Sequence, residues 1–499
     1  MKLYKLNRQA LAVCALIVVI GSAMYARTTK AQAGGAAPQS TKGAVVKGRA
    51  PVNKDVLRVK LPKAEEVTLP NGLRVVLLRD SKVPTFAAQM VILSGGLSDK
   101  PDYRGLASFT AALLREGTAQ RTSKDIAEQV DALGATLNSN SGFSSMTSVV
   151  SASGLVESID QTFDLFADVI RNPSFPADEV EKYKTRSLAQ LQFQRSSPQF
   201  LAQERLSRAI YADHPAAIVA PPVESLKKLT SKDLADFHST YYRPNNAILA
   251  IVGDVTLKEL MPKIEKAFGD WKKADVPATA IPAAPAQSAS RILLIDRPGS
   301  VQTVLQLGTL GIERNSADYF SLLLADKILG GGPAARLFLN LREDKGYTYG
   351  AYSNFGGSRF RGTWTSSSEV RTDVTEGAMK EFMYELNRLR NEKVPADELV
   401  NAKRAIVGSF ALSLEQPQSL LQNIITQKLY NLPADYWDTY PQKVDAITAE
   451  DVQRVAQKYI DLGHLQIVAV GDASKARDML TKYGKVEVFD AEGKPLSAN

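Results

Sequence analysis

LTSKDLADFHSTYYRPNNAILAIVGD, residues Leu229–Asp254, returns near the other end of the chain as ITAEDVQRVAQKYIDLGHLQIVAVGD, residues Ile447–Asp472. Thr230 aligns with Thr448, Asp233 with Asp451, Tyr241 with Tyr459 and Gly253 with Gly471, each pair 218 residues apart. PADEV (Pro176–Val180) is echoed by PADEL (Pro395–Leu399) at a separation of 219. Near-constant separations over separate patches mark an internal duplication rather than chance. Each long copy reads as a helix with a threonine N-cap, followed by an apolar strand. The Gly-Asp pair that ends each copy reads as a turn.

Working outward, ADVPATAIPAAPAQSAS (Ala274–Ser290) separates two stretches of similar size. Three prolines among small residues make an extended, semi-rigid linker. PNGLRVVLLRD and TFAAQMVILSGG read as a turn and two strands, and RILLIDRP and VQTVLQLGTL as their later counterparts. Between them, Thr122 can cap a helix whose Ile126, Val130 and Leu133 share a face and which Gly134 ends. Asp318–Leu329 reads as a further helix. The expected fold is α+β: two homologous halves, each an open, mostly antiparallel sheet with helices packed on one face, facing one another across a cleft. The expected domains are 64–273 and 291–485, with 274–290 as linker, 34–63 as a Gly/Ala/Pro/Lys-rich tether and 486–499 as a tail.

With 499 residues, 44% hydrophobic and 23% charged, the chain can build more than one large core. Lys2, Lys5 and Arg8 precede the apolar run Ala10–Ala26, and Ala31-Gln32-Ala33 follows. This reads as a secretory signal over 1–33 with a small-residue cleavage site, the alternative being an uncleaved membrane anchor. Either places the body of the protein outside the cytoplasm, secreted or periplasmic. Cys14, the only cysteine, falls within that run, so the rest of the chain offers no disulfide or thiol chemistry. The net charge of +8 includes five basic and no acidic residues in 1–33, leaving +3 for the remainder. No basic run interleaved with aromatics and no phosphate-cradling motif points to nucleic acid.

GLASFTAALLREGTAQRTSKDIAEQVDALGATLNSNSG (Gly105–Gly142) reads as helix, turn, helix and the start of a strand. Its first segment resembles the pitrilysin/insulinase zinc-peptidase family, in the branch similar to the mitochondrial processing peptidase. There the helix runs G-L-A-H-F-L-E-H-x-x-x-x-G-T, and Gly105, Leu106, Ala107, Phe109, Gly117 and Thr118 match. The resemblance extends over about Glu65–Asp472. In that family, two histidines on one helix face and a distant glutamate hold zinc, while the intervening glutamate serves as general base. Here the histidine positions hold Ser108 and Ala112, the base position holds Ala111, and the distant ligand aligns with Gln190. Alanine has no donor atom and a neutral amide is a poor zinc ligand. The chain's three histidines, His214, His238 and His464, are scattered and read as a turn residue, a helix packing or surface residue, and the start of the last strand. No metal and no cofactor is expected in this chain.

LGGGPAARLFLNLREDKGYTYG (Leu329–Gly350) resembles the family's Gly-rich loop and Arg/Tyr pair. The resemblance implies a flexible peptide-binding loop at Gly330, Gly331 and Gly332, and a pair formed by Arg336 and Tyr349. Arginine can donate two parallel hydrogen bonds to a carbonyl or carboxylate, and tyrosine can donate to an oxyanion. Arg342 and Tyr347 are the rivals, and strand phase does not separate Tyr347 from Tyr349. Some members of the branch work as pairs in which one subunit carries zinc and the other the Arg/Tyr pair.

The implied role is a zinc-free subunit, inactive on its own. It would bind extended peptide substrates and join a homologous H-x-x-E-H-bearing partner that holds the zinc. A silent peptide-binding or scaffold protein, and a hydrolase with an unrecognised site, are the alternatives. A membrane contact is expected only if the signal segment stays in place.

Overall fold

The computed structural model describes residues 56–496. The signal segment, Cys14 and most of the tether lie outside the described residues. Among the described residues no helix is long and apolar enough to cross a membrane.

The first sheet is built from β1 (Glu65–Thr68), β2 (Arg74–Arg79), β3 (Thr85–Ile92), β4 (Thr136–Ser141), β5 (Ser148–Leu155) and β6 (Ala247–Gly253), in the order β1-β2-β6-β3-β5-β4. The second contains β7 (Arg291–Asp296) and β8 (Gln302–Leu310). A two-residue β9 (Ile312–Glu313) pairs aside with β11 (Gly357–Ser358). The second sheet is completed by β10 (Thr348–Phe355), β12 (Thr363–Arg371), β13 (Gln466–Gly471) and β14 (Val486–Phe489), in the order β10-β12-β8-β13-β7-β14.

The duplication is visible strand by strand. β2-β6-β3-β5-β4 superposes in order and direction on β7-β13-β8-β12-β10, with β2–β6 and β7–β13 parallel and the other pairings antiparallel. The sixth strands differ. β1 precedes its sheet in sequence and pairs antiparallel, whereas β14 follows its sheet and pairs parallel with β7. β14 thus lies in the segment read as a tail, and the second half runs on beyond 485.

Local signals place the repeated helices. Thr230 accepts from the Asp233 N–H and Thr448 from the Asp451 N–H. Each aspartate returns a bond to its threonine N–H, so helices Ser231–Tyr241 and Ala449–Tyr459 begin with reciprocal caps. Thr122 and Asp125 do the same for helix Ser123–Ala132, and Gly134 adopts φ +57 beyond its end. The helix read over Asp318–Leu329 is found at Tyr319–Leu329, with Asp318 just ahead of it.

Helices on one face is the expectation that changes. In β2, Val75 and Leu77 join the core beneath the first half's own helices, while Val76 and Leu78 face the other way. That second face is covered by Leu420, Leu421 and Ile425, from helix Pro417–Leu429 of the other half. Reciprocally, Leu293, Ile295, Val468 and Val470 on the second sheet pack against Leu201, Leu206 and Ile210, from helix Pro198–Tyr211 of the first half. The two helices are counterparts in the repeat, so each half lends the same element to its twin. Gly308 permits the approach, since a Cβ there would lie 3.0 Å from Ile210 Cδ1 and 3.1 Å from Leu206 Cδ2.

The halves therefore do not face each other across an open cleft where these helices lie. Strands apolar on both sides must be covered twice, and burying each leucine is worth about 1.5–3 kcal/mol. The uncovered parts of the sheets are their polar ends. β4 exposes Thr136, Asn138 and Asn140, and β10 exposes Tyr349, Tyr352 and Asn354. The linker, residues 274–290, carries no regular element. It is pinned by Ser98 Oγ on Thr279 Oγ1 (2.7 Å) and by His214 Nε2 on the Pro282 carbonyl (3.1 Å).

Candidate functional site

Helix Leu106–Leu113 starts at Gly105, whose φ of +95 and contact with the Phe109 ring leave no room for a side chain. The Asp99 carboxylate accepts from the N–H groups of Gly105 (2.7 Å) and Ala107 (2.9 Å), capping the helix from a distance. Burial pushes the Asp99 carboxyl up to about 7, against the pull of those two donors. Ala107, Phe109, Ala111 and Leu113 are fully buried, so the helix serves as packing. Phe109 meets Tyr183 edge-on at 6.1 Å, which joins this helix to helix Ala177–Gln194.

The four positions of the family's metal set fall on these two helices. Ser108 and Ala112 are half-buried, Ala111 is buried and Gln190 is exposed. They do not fit a zinc ion: one hydroxyl, one amide and two methyl groups supply no anionic or imidazole donor. Among the described residues, no group of three or more His, Cys, Asp or Glu is placed to hold a metal ion.

The histidines have structural tasks. His238 Nε2 donates to the Ile170 carbonyl (2.7 Å) and its ring stacks on Tyr242 at 4.7 Å. Burial holds its pKa down to about 4. His214 accepts the Ala216 N–H at Nδ1, which makes Nε2 the donor to the linker. His464 bonds Asp461 in a short turn ahead of β13, not in the last strand, which is β14.

The second half separates the two candidate arginines. Arg336 is only 5% exposed, and its Nε and Nη2 grip Glu398 of helix Ala396–Ser413 through two 2.7 Å bonds. Its remaining nitrogen, Nη1, is buried without a hydrogen-bond partner. The residue lines a cavity of about 570 Å³ with Glu385, Arg388 and Glu398. Arg342 behaves differently. It is exposed, and its Nη1 donates to the Tyr349 carbonyl at 2.6 Å. The arginine that the structure brings to Tyr349 is thus Arg342, while the acid across the helix pair consumes Arg336. The signal in the sequence was the rival arginine seven residues before the tyrosine.

The tyrosines separate as well. Tyr347 packs on the second core with its hydroxyl against Gly377. Tyr349 is 84% exposed. Tyr347 precedes β10 and its N–H donates to the Leu341 carbonyl of the preceding helical segment, so strand alternation does not govern it; β10 itself begins with a register shift between Thr348 and Ala351.

The glycines are sterically required rather than kept for freedom of movement. A Cβ on Gly330 would sit 2.2 Å from the Ser353 nitrogen, and one on Gly331 would sit 2.7 Å from Lys327 Cα. The Ser353 N–H donates to the Gly330 carbonyl (3.1 Å), its hydroxyl donates to Asp326 Oδ1 (2.7 Å), and Lys327 Nζ donates to the Gly331 carbonyl (2.6 Å). Burial raises the Asp326 carboxyl to about 6, with the Ser353 bond opposing it. The segment is a pinned corner beneath β10. Gly332, at φ +150, lines the Arg336 cavity.

A duplicated sheet-and-helix unit, with a zinc-type helix emptied of ligands in one copy and an Arg/Tyr edge in the other, defines a two-half peptidase-like protein. The chain belongs to peptidase family M16. Residues 74–220 match the family described as "Insulinase (Peptidase family M16)", and residues 228–406 match "Peptidase M16 inactive domain". Among relatives, the uncharacterized zinc protease YmxG of Bacillus subtilis is 24% identical over 393 residues, covering 78% of this chain and 94% of that protein. The uncharacterized zinc protease ML0855 of Mycobacterium leprae is 25% identical over 401 residues, covering 79% and 88%. A crystal structure of a peptidase M16 inactive domain from Pseudomonas fluorescens matches with a TM-score of 0.76 and 28% identity, over 82% of this chain and 98% of that one. A protease from Helicobacter pylori, at 22% identity and a TM-score of 0.76 over 82% and 100%, shares the fold.

Proposed function

We propose that this chain is the zinc-free subunit of a secreted or periplasmic peptidase pair. It binds extended peptides at a polar sheet edge and presents Arg342 and Tyr349 to a homologous partner that carries H-x-x-E-H. The observation that carries this reading is the Arg342–Tyr349 contact on exposed β10, in a chain whose own metal positions hold Ser108, Ala111, Ala112 and Gln190. A cation bound to the main chain of an edge strand, next to an exposed tyrosine on that strand, suits a peptide that pairs its main chain with that edge. Arg336, bound to Glu398, acts as a brace for the corner that carries the pair. The match to an inactive domain covers only residues 228–406, so the absence of activity in the chain alone rests on the four metal positions of the first half, which offer no zinc donor set. The address outside the cytoplasm rests on the N-terminal run, Lys2 to Ala33.

The test is to purify the chain alone and with an H-x-x-E-H homologue from the same source. Bound zinc and cleavage of a quenched fluorescent peptide library are then measured. A metal-free, inert chain that raises the homologue's cleavage rate supports the reading, and loss of that gain in Arg342→Ala or Tyr349→Phe assigns the pair. A homologue that cleaves equally well without this chain leaves a peptide-binding or scaffold protein.

A further inference from the structure

β4 pairs only with β5, so its other edge is open to a further strand. Arg115 stands on that strand. It follows helix Leu106–Leu113 by two residues, and its Nη1 donates to the Leu137 carbonyl and to Asn138 Oδ1, the latter at 3.3 Å. Both acceptors are neutral. Among the described residues no carboxylate forms an ion pair with Arg115. Its neighbours in the fold differ, since Arg121 pairs with Asp164 and Asp168, and Arg186 with Glu116.

The surroundings sharpen the contrast. From Ala135 to Val156, through β4, its connecting loop and β5, the chain has no charged residue. The hairpin surface consists of Ser, Thr, Asn and apolar side chains, Leu155 among them, with one half-exposed guanidinium laid across it. A neutral polar edge accepts any extended main chain, because every peptide offers the same N–H and C=O groups. A guanidinium held only by neutral oxygens is the group there that can distinguish one side chain from another. A carboxylate is its stronger partner: charge-assisted bonds are about twice as strong as neutral ones, and the arginine fork matches a carboxylate's two oxygens.

We propose that Arg115 makes the β4 edge selective for extended peptides carrying an acidic side chain, which takes the guanidinium over from the Leu137 carbonyl. The inference rests on the reading that extended peptides add to a sheet edge of this chain. It assigns Arg115 to specificity and leaves the Arg342–Tyr349 contact untouched.

Two fluorescein-labelled ten-residue peptides of Ser, Thr and Val test it, identical except for three Glu or three Gln at alternate positions. Binding to the full chain is followed by fluorescence anisotropy, and hydrogen exchange reports protection of Thr136–Ser141. The Glu peptide is expected to bind about 2–5-fold more tightly than the Gln peptide at low salt, the range for a partly exposed pair, and the gap closes as salt screens the charge. Arg115→Ala, checked for an unchanged melting temperature, binds both peptides equally. Arg115→Lys keeps part of the preference, because it keeps the charge without the fork. If Arg115→Ala retains the full Glu preference while β4 is protected, the role of Arg115 is overturned and the edge reading stands. If neither peptide protects β4 in the unaltered chain, the proposal is overturned, while the reading of β10 with Arg342 and Tyr349 is tested separately by the cleavage assay.

Discussion

Arg342 Nη1 donates to the carbonyl of Tyr349 at 2.6 Å, so the two residues are held as one unit at the irregular start of β10. The contact runs through the main chain and leaves the Tyr349 ring and hydroxyl in solvent. Stability and function are thereby separable at this position. Tyr349→Phe is expected to change unfolding free energy by less than about 0.5 kcal/mol, as for an exposed side chain. In the mixed complex it lowers peptide cleavage about 10²-fold, the scale for losing one oxyanion donor. Steady-state rates beside urea unfolding curves measure both.

Arg336 has the opposite profile. Arg336→Ala leaves Glu398 without the arginine that binds both of its oxygens, and is expected to cost about 2–4 kcal/mol, somewhat less than a fully buried pair because Glu398 keeps some solvent contact. A double-mutant cycle with Glu398→Gln gives a coupling above about 1 kcal/mol. Unchanged stability together with lost peptide binding would return Arg336 to the binding surface.

Gly330→Ala places a methyl group 2.2 Å from the Ser353 nitrogen, against backbone that cannot yield cheaply. The expected cost is about 1–3 kcal/mol, as for overpacking. The disturbance reaches β10, so amide exchange across Thr348–Phe355 accelerates. A variant as stable as the parent, with unchanged exchange, would show that the corner is loose.

The exchanged helices predict how the halves unfold. Leu421→Ala, on the first half's sheet, and Leu206→Ala, on the second's, each remove a fully or almost fully buried side chain. Each is expected to cost about 2–5 kcal/mol. Because each helix belongs to one half and covers the other, either change lowers the midpoint of one shared transition. Calorimetric scans that resolve two transitions, only one of which moves, would contradict this.

His238 gives an acid-side signature. Its folded pKa of about 4 lies below the unfolded value of about 6.5, so the unfolded chain binds more protons between these two pH values. Stability from keeping the ring neutral is complete above pH about 6.5 and is lost as pH falls toward 4. The total is about 3 kcal/mol, from about 1.4 kcal/mol per pH unit. Denaturant midpoints for the parent and His238→Phe across this window test it: the parent's slope exceeds the variant's.

Much of the fold was legible because its signals are local. The caps at Thr122, Thr230 and Thr448 depend on residues three positions away, and each is found where the pattern puts it. The second buried face was also written in the sequence. Val75–Leu78 of β2 and AILAIVG of β6 are unbroken apolar runs rather than alternating ones, the mark of strands covered on both sides. What the runs could not say was which helix covers them.

The sequence by itself determined the duplication, the cap-to-strand order of each copy and the loss of the metal donors, because each is a matter of residue identity at a fixed spacing. Only the tertiary structure decided that helices Pro198–Tyr211 and Pro417–Leu429 change places, that Glu398 claims Arg336, and that Arg342 and Tyr349 meet on an edge while Tyr347 turns into the core. The physical reason is the range of the interactions. A capping bond is settled within one turn of chain, whereas an arginine's partner and a sheet's cover come from segments far apart in sequence, and spacing carries no record of which of two equivalent groups a distant segment has already bound.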